Sequence, residues 1–366
     1  FKKQKDSGKP MTVVGDGLQT RDYTNVKDVV RANILAAESK RVGNGEVINI
    51  GVGKSYSVMD LVDMIGGEHV FIPPRIGESR HTLADVGIVG QGFVGTAVKE
   101  GLKKYHTIRT YDLDETKRNC DSIEELVDKS TVLFVCLPTP MKKDGSCDTS
   151  IVEGMITELD NLALVRQCSN RVVVIKSTIP PGTTERLNDE CEHIQVIFNP
   201  EFLTEANFIE DFKNQDRIII GGPRPASTKV RQLFYKAFPK AHIIKTGSTT
   251  AEMVKYMTNT FLATKVSFAN EIFEICERLG IDYDKVTEYA TYDERLGKSH
   301  WSVPGPDGHY GFGGSCFPKD INALISVAKD KLDLYPNTLI GAWETNCEVR
   351  PEKDWEQLKG RAVVDE

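Results

Sequence analysis

Between residues 86 and 220, short β-rich runs at 87–89, 107–111, 131–137, 171–176, 195–198 and 217–220 alternate with helical segments. Strands separated by helices cannot pair as tight hairpins. The alternation therefore predicts an α/β fold with a mostly parallel, doubly wound sheet covered by helices. From about Gly247 the strand signal stops. Thr249-x-x-Glu252 has the spacing of a capping box, and Met253, Val254, Met257, Phe261, Leu262, Val266, Ala269, Ile272 and Phe273 recur at helical spacing. The pattern runs to Leu279, where Gly280 ends it, and predicts a helix of roughly 30 residues inside an all-α region. A helix that long suits a spine shared between domains or subunits.

At 366 residues the chain has room for two to three domains of roughly 150 residues. Apolar residues are 40% and charged residues 27%, which excludes wholesale disorder. A net charge of −7 without a basic stripe excludes a nucleic-acid coat. No apolar run reaches the ~18 residues of a membrane span, and no leader pattern opens the chain, so a cytoplasmic protein is expected. The eight cysteines are scattered with no Cys-x-x-Cys, which reads as reduced thiols and no metal site. The sequence changes character near Asp85. Residues 1–85 hold strand-like runs at 11–14 and 46–50, an amphipathic stretch at 26–38 and a Pro73-Pro74 turn, and the opening at Phe1 reads as mid-helix, as in an N-terminal fragment.

Gly90-Gln91-Gly92-Phe93-Val94-Gly95 follows the run at 87–89 and precedes a helical stretch. The first glycine permits the tight turn, the second lets backbone approach a pyrophosphate, and the third lets helix and strand pack closely. The helix N-terminus then faces the phosphates. Twenty positions past Gly92, Asp112 closes the next strand, where a carboxylate would take the ribose hydroxyls and repel a 2′-phosphate. A Rossmann-like domain that binds NAD in preference to NADP is the expectation.

A second stretch carries chemistry. In Gly311-Phe312-Gly313-Gly314-Ser315-Cys316-Phe317-Pro318-Lys319-Asp320, glycines surround one cysteine and Pro318 sits where a first helical turn would start. Ile321, Leu324, Ile325 and Ala328 form the apolar face behind it. Cys316 therefore falls just ahead of a helix N-terminus with Lys319 nearby, and both effects are expected to lower its pKa. A thiolate beside NAD can trap an aldehyde as a thiohemiacetal, pass through a thioester and release a carboxylate.

These residues bring the chain into line with a known family. Residues 86–345 resemble the UDP-glucose/GDP-mannose 6-dehydrogenase family. The matches are Gly90–Gly95, 135–140 with Thr139-Pro140, and Lys176-Ser177-Thr178 ahead of Pro180-Pro181-Gly182. They continue through Asn199-Pro200-Glu201-Phe202-Leu203-x-Glu205, Lys255 with Asn259, Asn270-Glu271 and the Cys316 loop. The resemblance implies two oxidations of a sugar C6 alcohol with two NAD and no metal, UDP-glucose giving UDP-glucuronate. GDP-mannose and a UDP-N-acetylhexosamine are the alternative substrates, and a catalytically inactive UDP-binding module is the alternative of another class. A one-step β-hydroxyacid dehydrogenase on the same architecture would make no use of the Cys316 loop.

By the same resemblance Cys316 would be the nucleophile and Lys255 would stabilise an oxyanion. Asp320 and Thr178 would bind the reacting water, and Glu201 would be the acid/base. Asn259, one helical turn from Lys255, would hold the sugar. Glu201, Phe202, Leu203, Glu205, Lys255, Phe312, Gly313 and Gly314 fall in stretches that contact the sugar. Gly90, Gly92, Phe93, Val94, Gly95, Asp112, Thr139, Ser177, Glu205 and Lys319 fall on the cofactor side. The implied organisation is an NAD-binding domain at 86–246, a helical central domain at 247–345 that forms a homodimer through its long helix, and a tail at 346–366. Typical members carry a further α/β domain for the nucleotide, of which Leu358-Lys359-Gly360-Arg361-Ala362-Val363-Val364 resembles only the threshold. The chain is also shorter than most relatives between Asp112 and Thr131, and its 300–306 segment is unusual.

Residues 11–85 resemble a different family, the nucleotide-sugar epimerases and dehydratases. The matches are Gly15-Asp16-Gly17-x-Gln19-x-Arg21-Asp22-Tyr23, Val26-x-Asp28-Val29-Val30, Asn49-Ile50-Gly51 and Pro74-Arg75-x-Gly77-Glu78. There Arg21 and Arg75 would contact a UDP diphosphate. The cofactor domain and catalytic Tyr-x-x-x-Lys pair of that family would lie upstream of these residues, so residues 1–85 read as an α/β epimerase remnant without catalysis.

Overall fold

The computed structural model describes residues 1–15, 17, 20–22, 24–39, 55–73, 85–168 and 171–365. The strand expected at 46–50, and the matches at Asp16, Gln19, Tyr23, 49–51 and 74–78 with Arg75, lie outside the described residues. The chain divides into two compact units, Phe1–Leu83 and Ala84–Glu366.

In the smaller unit α1 (Lys2–Asp6) leads into β1 (Met11–Val14), followed by β2 (Thr20–Asp22), α2 (Val26–Glu38), β3 (Ser55–Ser57), α3 (Val58–Ile65) and β4 (His69–Ile72). β1 and β4 pair in parallel, and β2 and β3 antiparallel. Asn25 caps α2 by accepting the Lys27 N–H. Ser57 and Asp60 form a full capping box on α3. Met11, Val13 and Val62 are the buried apolar centre.

The larger unit opens with β5 (Val86–Val89), α4 (Phe93–Leu102), β6 (Ile108–Tyr111), α5 (Ile123–Lys129) and β7 (Val132–Val135). It continues through α6 (Ser150–Val165), β8 (Arg171–Ile175), α7 (Thr183–Glu190), β9 (Ile194–Phe198), α8 (Phe208–Lys213), β10 (Arg217–Gly221), α9 (Ala226–Ala237) and β11 (His242–Thr246). Among the described residues these strands make one seven-stranded sheet, in the order β11-β10-β9-β8-β7-β5-β6. All neighbours run parallel except β9 and β10, which meet antiparallel at Phe198 and Gly221. β5 and β7 are buried along their whole length, as continuous Val/Ile/Leu/Phe runs covered on both faces must be. One apolar cluster, with Leu133, Val135, Ile156 and Val173, and another, with Ile88, Phe134, Val174 and Phe234, make up its core.

The order fixes where a ligand can sit. From β5 the chain steps outward to β6, then returns across β5 to build β7, β8 and β9. The crevice between the carboxyl ends of β5 and β7 is therefore the point where the winding reverses, the usual ligand crevice of such sheets.

Beyond the sheet, α10 (Ser248–Leu279) runs for 32 residues, about 48 Å at 1.5 Å per residue. Gly280 ends it in the left-handed conformation, with φ of 68°. The capping box expected at its start is absent. Gly247 is the N-cap and makes no side-chain bond; the Thr249 hydroxyl donates to Glu185, and the Glu252 carboxylate accepts from the Gly182 and Thr184 amides. These two side chains tie α10 to α7 instead. The helical region is completed by α11 (Tyr283–Ala290), α12 (Phe317–Ser326), which widens into a π turn at Val327–Lys331, and α13 (Asn337–Val349). α13 runs across the boundary expected at 345/346, and Trp355 beyond it is buried against Trp343 at 5.3 Å between ring centroids.

Candidate active site

The turn from β5 into α4 has no room for side chains at two of its three glycines. Gly90 has φ of +86°, and a Cβ there would lie 2.4 Å from the Cys136 carbonyl oxygen. A Cβ on Gly95 would lie 1.8 Å from the Gly90 carbonyl oxygen. Both close approaches demand glycine. Gly92 is different: its φ is −72°, and a Cβ would meet nothing within 4 Å. That space opens at the first turn of α4, whose unpaired amides favour a phosphate. At the end of β6, Asp112 accepts the Gln91 and Asp114 N–H groups at 2.6 and 2.9 Å, which leaves carboxylate lone pairs for hydroxyl donors. An unfilled cradle, oriented amides and a carboxylate one strand over fit a dinucleotide.

From this turn a cleft of about 800 Å³ runs past Phe93, Val94, Asp112, Thr139, Ser177 and Thr178 to Leu203, Glu201, Glu205, Cys316 and Lys319. Its walls at the β7 and β8 ends are pinned together. The Ser177 hydroxyl donates to the Leu137 carbonyl at 2.5 Å and accepts the Leu137 N–H, and the Thr139 hydroxyl donates to the Thr178 carbonyl at 2.8 Å.

Cys316 is the N-cap of α12, with Pro318 in the first turn. The glycine loop before it is held by side chains from three places. The Asn270 carboxamide on α10 accepts the Gly311 N–H. Asn346 on α13 accepts the Phe312 N–H at 2.6 Å and donates back to its carbonyl at 3.0 Å. The Asp354 carboxylate accepts the Gly314 N–H and is itself held by Arg350. Loop amides without a ladder need such partners, and here the partners set the sulfur's position.

Around the thiol lie two buried charge pairs. Lys255 Nζ on α10 donates to Glu201 Oε1 at 2.9 Å and to the Glu201 carbonyl at 2.7 Å. Asp320 is wholly buried and receives Lys319 Nζ at 2.5 Å and Asn259 Nδ2 at 2.6 Å. Burial works against charge on Lys255, but Glu201, Asp320 and Cys316 together hold its pKa above the ordinary lysine value. Burial would raise the Glu201 carboxyl; Lys255 first, then the Leu203 N–H and Lys176, hold it below the usual carboxylate range. Lys319 is raised well above the ordinary value, since the Asp320 carboxylate outweighs its burial.

The expectation of a lowered thiol pKa at Cys316 is corrected by these surroundings. Burial, and next the Glu201 carboxylate, push it above the ordinary thiol value, and Lys319 and Lys255 only partly offset them. The expectation weighed the cations and the helix terminus without the desolvation and the two carboxylates that accompany them. Other residues expected at the site also have partners within the fold. Phe312 is a core side chain in the cluster of Ala263, Ile321 and Ile325, turned away from the cleft. A Cβ on Gly313 would strike Arg350 and Asp354 at 2.3 to 2.5 Å, so this glycine serves loop packing, whereas one on Gly314 would meet nothing within 4 Å. Asn259 spends its carboxamide N–H on Asp320. Phe202 lies under Arg217, 4.2 Å from the ring centroid, with Lys255 at 5.6 Å.

Lys176 was quoted only as part of a matching stretch, yet it is a site group. Its buried ammonium donates to Asn199 Oδ1 at 2.9 Å and to the Pro200 carbonyl at 3.4 Å, bracing the segment that carries Glu201. Burial lowers its pKa to about 8. Asn346, Arg350 and Asp354 were missed because their partners, two loop amides and the Asp307 carboxylate, lie some 34 to 43 positions away. No spacing rule connects them.

Comparison with known proteins follows the same outline. Residues 113–239 match the UDP-glucose/GDP-mannose dehydrogenase family, NAD binding domain, and residues 249–347 match its central domain. A UDP-glucose dehydrogenase structure from the hyperthermophilic archaeon Pyrobaculum islandicum superposes with a TM-score of 0.66 at 30% identity, covering 75% of this chain and 70% of that one. The chain belongs to the UDP-glucose/GDP-mannose dehydrogenase family. Within the family it is 35% identical over 246 residues to the UDP-glucose 6-dehydrogenase TuaD of Bacillus subtilis, covering 65% of this chain and 51% of that one. It is 29% identical over 324 residues to the UDP-glucose 6-dehydrogenase AglM of Haloferax volcanii, covering 77% and 73%. The chain spans about half the length of the first curated relatives it matches. Residues 1–51 match the NAD dependent epimerase/dehydratase family. No helix among the described residues is long and apolar enough to cross a membrane.

Proposed function

We propose that this chain is an NAD-dependent nucleotide-sugar 6-dehydrogenase that oxidises UDP-glucose to UDP-glucuronate in two steps through Cys316. One observation carries the reading: the glycine turn with Asp112 and the Cys316 thiol line the same cleft. NAD, when bound, accepts the hydride in each oxidation. Gly90, Gly92, Gly95 and the α4 amides would hold its diphosphate, and Asp112 its ribose. Thr139, Ser177 and Glu205 would line the rest of its path.

Glu201 takes the hydroxyl proton in the first oxidation, its carboxylate kept ionised by Lys255. The Cys316 sulfur then attacks the aldehyde carbon, giving a thiohemiacetal whose oxygen is stabilised by the Lys255 ammonium. After the second oxidation the thioester is hydrolysed by water held at Thr178 and Asp320. Water supplies the carboxylate oxygen, and its proton returns the thiol. Asn259 orients Asp320.

In this reading 86–246 is the NAD-binding domain and 247–345 the central domain. Residues 1–85 take no part in the oxidation. The cytoplasm suits eight cysteines of which none is paired in the described structure. A homodimer through α10 is supported by an exposed apolar stripe, with Met257, Phe261, Phe268, Ile275 and Leu279 each at least half exposed.

The test is NADH formed per UDP-glucose consumed, for the unaltered chain and for Cys316→Ser. Two NADH per sugar, lost in the variant, is the expected result. One NADH, indifferent to the substitution, would mean a simple alcohol dehydrogenase. No NADH from UDP-glucose, GDP-mannose or a UDP-N-acetylhexosamine would mean a binding module.

A further inference from the structure

The segment after Trp355 returns to the sheet domain. The Met141 N–H donates to the Ala362 carbonyl at 2.8 Å, and the Val364 N–H donates to the Met141 carbonyl at 3.0 Å, a parallel bridge just past the end of β7. Gly360 makes the turn with φ of +70°, and Ala362 is buried. This anchoring sends Arg361 into the cofactor end of the cleft. Its guanidinium carbon lies 4.9 Å from the Phe93 ring centroid, and its NH2 donates to Glu205 Oε1 at 3.1 Å. Phe93 is the first residue of α4, directly after the open position at Gly92.

Arg361 is the sole arginine among the described residues lining the cleft. Lys176 and Lys319 are committed elsewhere, to Asn199 and Pro200 and to Asp320, and Lys117 pairs with Asp114 at 3.2 Å in contact with water. The Arg361–Glu205 pair is as open to water as Lys117–Asp114, but of the two it is the one that rests against Phe93 at the glycine turn. Both side chains are 46% exposed, and an ion pair so open to water is weakly held. A guanidinium resting on an aromatic face, with a replaceable partner and beside a helix N-terminus, is suited to bidentate recognition of a phosphate.

We infer that Arg361 is a cofactor-binding residue, which exchanges Glu205 for the diphosphate of the dinucleotide and closes the glycine turn from the opposite side. The inference rests on the cleft being a dinucleotide site. It assigns a ligand contact to a position beyond both dehydrogenase-family matches, on a strand-like segment that the fold carries back to β7. Glu205 is then the resting partner of Arg361, freed on loading to keep its bond to Ser315 at 2.5 Å.

The experiment is equilibrium binding of NADH, ADP-ribose, adenosine and UDP to the full chain, to Arg361→Ala and to Arg361→Lys, with thermal unfolding as the fold control. Arg361→Ala should weaken NADH and ADP-ribose by about tenfold or more and leave adenosine unchanged. Arg361→Lys should recover only part of the loss, because an ammonium lacks the planar fork. NADH binding equal in all three proteins would overturn the assignment while leaving the dinucleotide site standing. Weakened UDP with unchanged NADH would overturn it in favour of the sugar nucleotide. Failure of the unaltered chain to bind NADH would overturn the dinucleotide reading and this inference together.

Discussion

Replacing Lys255 by methionine keeps most of the side-chain volume and removes one charge from a buried pair. The two charged side chains are only 4% and 10% exposed, with 2.9 Å between nitrogen and oxygen. At that distance and an effective dielectric constant of about 20, the gross attraction is about 6 kcal/mol. Much of it merely offsets desolvation in the unaltered protein. The variant loses the attraction yet keeps the Glu201 carboxylate buried, so a net destabilisation of about 3–5 kcal/mol is expected at pH 7.

The pH dependence gives the argument its sign. In the unaltered chain the Glu201 pKa lies below the ordinary value, so its contribution is present above the unfolded pKa and lost as pH falls through the folded one. Without Lys255, burial dominates and the folded pKa moves above the unfolded one. The penalty is then full above the raised pKa and disappears below about pH 4. Urea unfolding of both proteins at several values between pH 7 and pH 4 should show the difference shrinking steadily with acid. The double variant Lys255→Met/Glu201→Gln should regain most of the stability and no turnover. A difference under about 1 kcal/mol at pH 7, or one indifferent to pH, would refute the pair as described.

Gly92→Ala should fold with stability within about 0.5 kcal/mol of the unaltered chain, since its Cβ meets nothing, yet bind NADH at least about tenfold more weakly; equal NADH affinity by titration would remove the cradle. Iodoacetamide should modify Cys316 at a rate rising about tenfold per pH unit from pH 7 to 8.5, because its thiol pKa is raised. A plateau near neutrality, read against Cys316→Ser, would contradict that. Glutamates at Met257 and Phe261, one turn apart on the exposed stripe, should shift the light-scattering mass from dimer to monomer at micromolar concentration. A monomer before substitution would dispose of the dimer.

The sheet could be read from the residues because parallel strands buried on both faces must be continuous apolar runs, as at 132–135 and 172–175. The edge strand β11 (His242–Thr246) was missed: partly exposed along its whole length, it carries no such run. Gly90 and Gly95 were legible for a similar reason, since only one residue type survives their contacts. α10 was found with its length nearly right, but its faces are inverted relative to ordinary patterning. Met253, Met257 and Phe261 point outward, while Glu252, Lys255, Asn259 and Asn270 are buried. Apolar periodicity finds a helix without telling which side is inside when the interior is a polar site. Thr249 and Glu252 illustrate the same limit, because tertiary partners on α7 replaced a local cap.

The charges that act on Cys316 come in a balanced set, Lys255 and Lys319 against Glu201 and Asp320. With that set electrically neutral, a thiolate would be the odd anion in a dry space. By that count the resting sulfur is held as a thiol, and a thiolate is favoured by one further positive charge beside it. Oxidised nicotinamide brings one and reduced nicotinamide does not. In the proposed reaction the sulfur is thus armed once a fresh oxidised nicotinamide has replaced the spent one, so the aldehyde is captured only when the second oxidation can follow.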